Sequence, residues 1–208
     1  MTDYLIDGHK GNPLFIFAHG AGAGMDHTFM QAVAKGLAEK GIQVVRFNFP
    51  YMVKRAEDGK KRPPDRAPKL LEAYQTVIEE HCTTGAVVIG GKSMGGRMAS
   101  LLTEEKQVAG VACLGFPFHP PGKPENYKGG HLAELEKPCL ILQGERDTFG
   151  KKEEFEQFEL SSAVQVAFIP DGDHSFKPRK RSGHSEESNM ELAVEHLAKF
   201  ILETSDAQ

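Results

Sequence analysis

The sequence predicts a single α/β domain, with a mostly parallel sheet and helices on both of its faces. Three observations predict it: short apolar runs that are continuous rather than alternating, amphipathic segments in the gaps between them, and a length of 208 residues. Continuous runs suit strands covered on both faces. Their alternation with helical patterns suits repeated βαβ units. The length suits one domain over residues 1–208, burying about 70% of its unfolded surface.

Taken in order, the opening MTDYLIDGHKG lacks a basic stretch followed by an apolar one, so no secretory signal is expected. The first apolar run is 14–18. Beyond a Gly-rich segment, Phe29 or Met30, Val33 and Leu37 share one helical face. The run 42–49 follows, and the charged stretch 52–68, with three prolines, reads as a long loop. Leu70, Leu71, Tyr74, Val77 and Ile78 make the clearest helical stripe. The run 86–89 leads through glycines into a helix carrying Met94, Met98, Leu101 and Leu102. The run 108–116 is followed by a second long loop, 117–130, rich in proline and glycine. Runs 139–142 and 164–169 complete the strands. Finally Met190, Val194, Leu197 and Ile201 recur at helical spacing, and Ser188 with Glu191 reads as a capping box.

Composition narrows the function classes. Acidic residues outnumber basic ones by 29 to 25 and the pI is about 6.1, which argues against a nucleic-acid binder. Cys82, Cys113 and Cys139 are widely spaced and form no CxxC pair, so neither a disulfide framework nor a structural zinc site is expected, and a reducing, cytoplasmic setting is. The longest stretch free of Asp, Glu, Lys and Arg, 107–122, contains Gly, Pro and His and falls short of the roughly 18 apolar residues of a membrane span.

Ligands of open α/β sheets bind beyond the carboxyl ends of the strands, so the residues after each run carry the chemistry. After 86–89 comes Gly90-Gly91-Lys92-Ser93-Met94-Gly95-Gly96-Arg97, in which 91–95 fit G-x-S-x-G. In that elbow a strand turns sharply into a helix, with the serine at the apex and small residues two before and two after it. Ser93 then projects its hydroxyl, and the Met94 amide faces a developing negative charge. An ordinary Gly-rich turn is the alternative; the flanking strand and helix favour the elbow. A phosphate loop is excluded because position 86 is Ala where that motif needs Gly.

After 14–18 comes His19-Gly20-Ala21-Gly22-Ala23-Gly24. A dinucleotide fingerprint fails here, since its third glycine falls on Met25 or His27. An oxyanion loop, with the Ala21 amide as donor, fits better, and His19 at its start reads as structural. Asp147 follows the run 139–142 and His174 follows 164–169. Ser93, Asp147, His174 is the chain order of α/β-hydrolases. Glu145, Asp171 and Asp173 compete for the acid role, but the last two are close enough to His174 to shape its turn instead. His9, His27, His81, His119, His131, His184 and His196 are expected on surfaces or loops.

Three segments resemble a small α/β-hydrolase family: Gly91-Lys92-Ser93-Met94-Gly95-Gly96-Arg97, the stretch from Leu142 to Gly150 (LQGERDTFG), and Gly172-Asp173-His174-Ser175-Phe176-Lys177-Pro178-Arg179. Phe116 to Pro124 (FPFHPPGKP) and Arg46-Phe47-Asn48-Phe49-Pro50-Tyr51 are similar too. The family includes bacterial hydrolases, a testis-expressed hydrolase-like protein and the third subunit of the nonspecific-lethal chromatin complex. The resemblance runs from about residue 14 to the last helix and implies a dienelactone-hydrolase-like core. Ser93 stands where dienelactone hydrolases carry Cys, so their reaction does not carry over.

The expected activity is hydrolysis of small carboxylic esters or thioesters through an acyl-enzyme on Ser93, with Asp147 and His174 completing a triad and the Ala21 and Met94 amides an oxyanion hole. No metal or organic cofactor is required. A chain of this length leaves no room for a large lid, so an open cleft is expected, with Tyr51, Arg97, Phe118 and Phe149 as substrate-binding candidates. Arg97 anchors a carboxylate or pairs with an acidic neighbour. Arg46 and Asn48 line the cleft or tie down loops. Lys177, Arg179, Lys180 and Arg181 favour anionic substrates or form a solvated turn. The partner is a small ester or thioester, with no nucleic acid and no membrane span, and edge strands leave a homodimer open. The opposing reading is a hydrolase-shaped binding or scaffold module.

Overall fold

The computed structural model describes residues 3–82 and 85–207. Its centre is one sheet of seven strands: β1 (Tyr4–Asp7), β2 (Leu14–Ala18), β3 (Gln43–Phe47), β4 (Val87–Lys92), β5 (Val108–Leu114), β6 (Cys139–Gly144) and β7 (Val164–Ile169). The spatial order is β1-β3-β2-β4-β5-β6-β7. Every neighbouring pair is parallel except β1 with β3. Parallel neighbours require crossover connections, and helices supply most of them: α1 (Thr28–Glu39), α2 (Pro50–Asp58), α3 (Ala67–His81), α4 (Met94–Ser100) and, after the last strand, α5 (Glu186–Asp206).

The continuous apolar runs are explained by burial on both faces. Along β2, Ile16 and Ala18 face one core with Tyr74, Val77 and Met98 from α3 and α4. Phe15 and Phe17 face the other with Met30, Val33, Leu37, Leu197 and Ile201 from α1 and α5. All three cysteines are unpaired thiols inside this packing. Among the described residues, no helix is long and apolar enough to cross a membrane.

Three local expectations are corrected. First, a strand precedes the first expected run. β1 has four residues, and its apolar run of three, Tyr4-Leu5-Ile6, is too short to stand out as a strand. It is fixed by its register against β3 and by the Arg46–Asp7 ion pair at 2.8 Å.

Second, the first half of the stretch 52–68 is helical. Pro50 supplies a preset first turn and Gly59, at φ 71°, ends α2. Only Tyr51 and Met52 of α2 are buried, too few to make a stripe. Third, α5 is capped one turn earlier than expected. Ser185 and Ser188 exchange side-chain-to-backbone hydrogen bonds, and Glu186 and Glu187 complement the helix N-terminus.

Candidate active site

β4 ends at Lys92, α4 begins at Met94, and Ser93 between them holds φ 50° and ψ −115°. A non-glycine residue rarely adopts this conformation, and it is maintained only where the surroundings over-determine it. Here they do. A Cβ on Gly91 would sit 2.4 Å from the Gly95 carbonyl carbon, and one on Gly95 would sit 2.5 Å from the His19 oxygen. Neither position of G-x-S-x-G accepts a side chain without moving backbone.

Ser93 meets the expected partners. Its Oγ lies 2.9 Å from His174 Nε2, and His174 Nδ1 lies 2.8 Å from Asp147 Oδ2. Asp147 is fully buried, and its carboxylate also accepts from the Phe149 amide at 2.9 Å and from Gln143 Nε2 at 3.2 Å. The Phe149 ring stacks on the His174 imidazole with centroids 4.2 Å apart. The competing acids are engaged elsewhere. Asp173 Oδ1 accepts from the Ser175 and Lys177 amides and forms the turn that carries His174. Asp171 pairs with Arg179, whose guanidinium holds the carboxyl down to about 2. Glu145 accepts from the Asp171 amide and from Lys152.

The loop after β2 lies against the serine, since a Cβ on Gly20 would be 3.6 Å from Ser93 Cβ. Its carbonyls are tied from outside. The Tyr51 hydroxyl lies within reach of Ala21 O at 2.9 Å and Gly20 O at 3.3 Å, and Arg55 Nη1 donates to Gly22 O at 2.9 Å. His19 is wholly buried. Its Nε2 accepts from the Phe49 amide at 3.0 Å, leaving Nδ1 to donate to Gly20 O at 2.6 Å. Burial pushes this imidazole down to about 4, so it stays neutral near pH 7. The Ala21 amide has no protein acceptor among the described residues. The Met94 amide, first in α4, has none within its helix.

Two positioning residues carry no role in the sequence reading. Lys92 is nine-tenths buried, and its Nζ donates to the backbone oxygen of His174. Burial pulls its ammonium down to about 8, with Asp147 and Asp173 acting in the opposite direction. Gly115, at φ 68°, makes room for it, because a Cβ there would lie 2.9 Å from Lys92 Nζ and 3.2 Å from His174 Nδ1. Gln143 is the second. Its amide accepts from the Phe116 N–H at 2.9 Å and donates toward Phe116 O, Gly150 O and Asp147. A serine before a helix gives a recognisable motif, whereas a buried lysine or glutamine is identified only by what it touches.

Two substrate-binding candidates are corrected. Tyr51 is 2% exposed and its hydroxyl is spent on the loop carbonyls. Phe118 is fully buried, stacked on Phe158 at 4.3 Å and packed against Phe155 and Tyr127. Both hold walls in place instead of lining an open cleft. Phe149 remains half-buried beside the imidazole, and Arg97 half-buried in the helix after Ser93. Arg97 has no acidic partner among the described residues, and its Nε is buried without a hydrogen bond. Arg46 and Asn48 tie down the loop at Met25. His119, expected at the surface, is buried and bonded to Glu154 and Pro120.

A family model described as an alpha/beta hydrolase domain matches residues 11–202. No curated protein matches the chain. Among solved structures, an alpha-beta serine hydrolase homologue from Coxiella burnetii is 21% identical with a TM-score of 0.70, covering 95% of this chain and 90% of that one. Est1E from Butyrivibrio proteoclasticus with bound ferulic acid is 19% identical with a TM-score of 0.71, covering 100% and 96%. A dienelactone hydrolase from Anabaena variabilis is 18% identical with a TM-score of 0.69, covering 97% and 91%. At these identities the likeness is one of fold.

Proposed function

The chain belongs to the alpha/beta hydrolase domain family, and on that premise we propose that it is a serine hydrolase cleaving small carboxylic esters or thioesters. The observation that carries the reading is the unbroken line from Ser93 Oγ to His174 to Asp147, at 2.9 and 2.8 Å. His174 Nε2 takes the proton from Ser93 as its oxygen attacks the acyl carbon. The Ala21 and Met94 amides bind the oxyanion, and each such donor is worth about 3 kcal/mol in a water-excluded site. The imidazolium then gives its proton to the departing alcohol or thiol, leaving an acyl-enzyme. Water, deprotonated by His174, attacks that ester and frees the acid. Asp147 holds Nδ1 protonated and stabilises the imidazolium; Gln143 and Lys92 hold the acid and the imidazole loop in place.

The motifs at 91–97, 142–150 and 172–179 further suggest the narrower kinship with the testis-expressed and chromatin-complex proteins. Three unpaired buried thiols fit a reducing, cytoplasmic setting. The test is covalent labelling by a fluorophosphonate probe together with burst release from a p-nitrophenyl ester. Wild type labels and bursts, while Ser93→Ala does neither. Labelling that persists in Ser93→Ala removes Ser93 from the role, and a wild type that neither labels nor turns over supports the scaffold reading instead. A panel of oxo- and thioesters then ranks the substrates.

A further inference from the structure

A cavity of about 430 Å³ opens beside the oxyanion loop, lined by Ala21, Gly22, Arg55, Lys61, Arg62 and Pro63. Its charge is unlike that of the chain. Residues 54–69 carry seven basic and three acidic side chains in a protein whose net charge is −4. Lys61 makes no hydrogen bond or ion pair among the described residues. Arg55 gives one N–H to Gly22 O and pairs with no carboxylate among the described residues. Arg62 is paired with Asp58 through both Nη atoms, at 3.1 and 2.7 Å, so its charge is already matched.

The other basic cluster, 177–181, is already partly spent on structure, with Arg179 on Asp171 and Lys177 on Glu186. Ala21 belongs both to this cavity and to the loop whose Gly20 lies against Ser93, so the cavity adjoins the oxyanion loop. We propose that this cavity holds an anionic group of the substrate, a carboxylate or a phosphate, making the enzyme selective for acidic esters. The proposal rests on the serine-hydrolase reading and names its substrate class. Two cations without a carboxylate partner, Arg55 and Lys61, on a space of this size suit one small anion.

The test compares p-nitrophenyl esters whose acyl chains end in a carboxylate, a phosphonate or a methyl group. Wild type prefers the charged esters by about tenfold in kcat/KM, mainly through KM, and salt of about 0.5 M erases most of that preference. The better of the two charged arms identifies the anion. Lys61→Gln lowers the preference about threefold and Lys61→Glu about tenfold. Lys106→Gln, at the opposite end of the sheet before β5, leaves it unchanged. Titration of Ser93→Ala with monomethyl succinate, against dimethyl succinate, reads the cavity without turnover.

Equal rates on charged and neutral esters overturn the proposal while leaving the hydrolase reading intact. So does a preference that responds to Lys180→Gln and not to Lys61. If no ester is cleaved and Ser93 does not label, the hydrolase reading falls, and absent succinate binding then overturns this proposal as well.

Discussion

The two sides of Ser93 follow opposite building rules. On the His174 side the polar groups are buried and committed to one another: Lys92 to the His174 carbonyl, Gln143 to Phe116 and Asp147, and Asp147 to three donors. On the Gly20–Gly22 side, beyond the buried His19 and Tyr51, the cavity is lined by cations at the surface, and Lys61 is uncommitted. Buried polar networks cost too much to rearrange, so they fix geometry. Exposed charges are cheap to redirect, so they suit recognition. On the function and substrate class proposed above, chemistry and selectivity belong to different sides of Ser93, and substitutions should separate them.

The largest effect is expected from Asp147→Asn, which keeps the shape but favours the wrong imidazole tautomer. Its kcat should drop about 10⁴-fold with an unchanged melting curve. A loss of tenfold or less would mean that the buried side does not orient the base.

Lys92→Met comes next. With the grip on the His174 loop gone, kcat should drop about 10- to 100-fold while KM stays within about twofold. Because burial leaves the Lys92 ammonium titrating at about 8, wild-type activity should decline as pH rises through that value. The methionine variant has no such proton to lose, so its alkaline limb should be flat there. An identical limb in both proteins would assign the decline to another group.

His19 sharpens the comparison at the foot of the other side. Its folded value of about 4 lies below the ordinary 6.5, so the folded state binds fewer protons. Its contribution is therefore complete above pH 6.5 and lost as the pH falls from there toward 4. Urea unfolding should report a loss of about 2 kcal/mol between pH 7 and pH 5. His19→Gln should flatten that slope, and an unchanged slope would point to other groups.

Tyr51→Phe is expected to be mildest. It removes one loop tie worth about 1 kcal/mol, so kcat should fall about fivefold while KM for a neutral ester barely moves.

What the sequence made legible follows the same division. Buried strands advertise themselves as apolar runs, and the elbow advertises itself because two glycines are forced by backbone contact. β1 and α2 gave no such signal, since one is a short edge strand and the other buries only Tyr51 and Met52. Lys92 and Gln143 stand inside recognisable motifs, yet their roles are not legible there, because their partners come from chain segments that only the fold brings beside them. The burial of Tyr51 and Phe118 is hidden for a related reason. An aromatic residue beside a turn looks available until the segment folds over its own hydrophobic centre, as 117–130 does on Phe155 and Phe158.

The interior thiols have a practical consequence. Cys113 and Cys139 are fully enclosed on adjacent strands, where their mutual contact and burial push the Cys113 thiol far up, and Cys82 is 5% exposed. Maleimides and iodoacetamides should pass over the native fold. A cysteine placed at an exposed position such as Lys61 would then be the sole reactive sulfur, allowing a dye or spin label to be installed at the cavity by Ala21 and Gly22 without first stripping the wild-type cysteines.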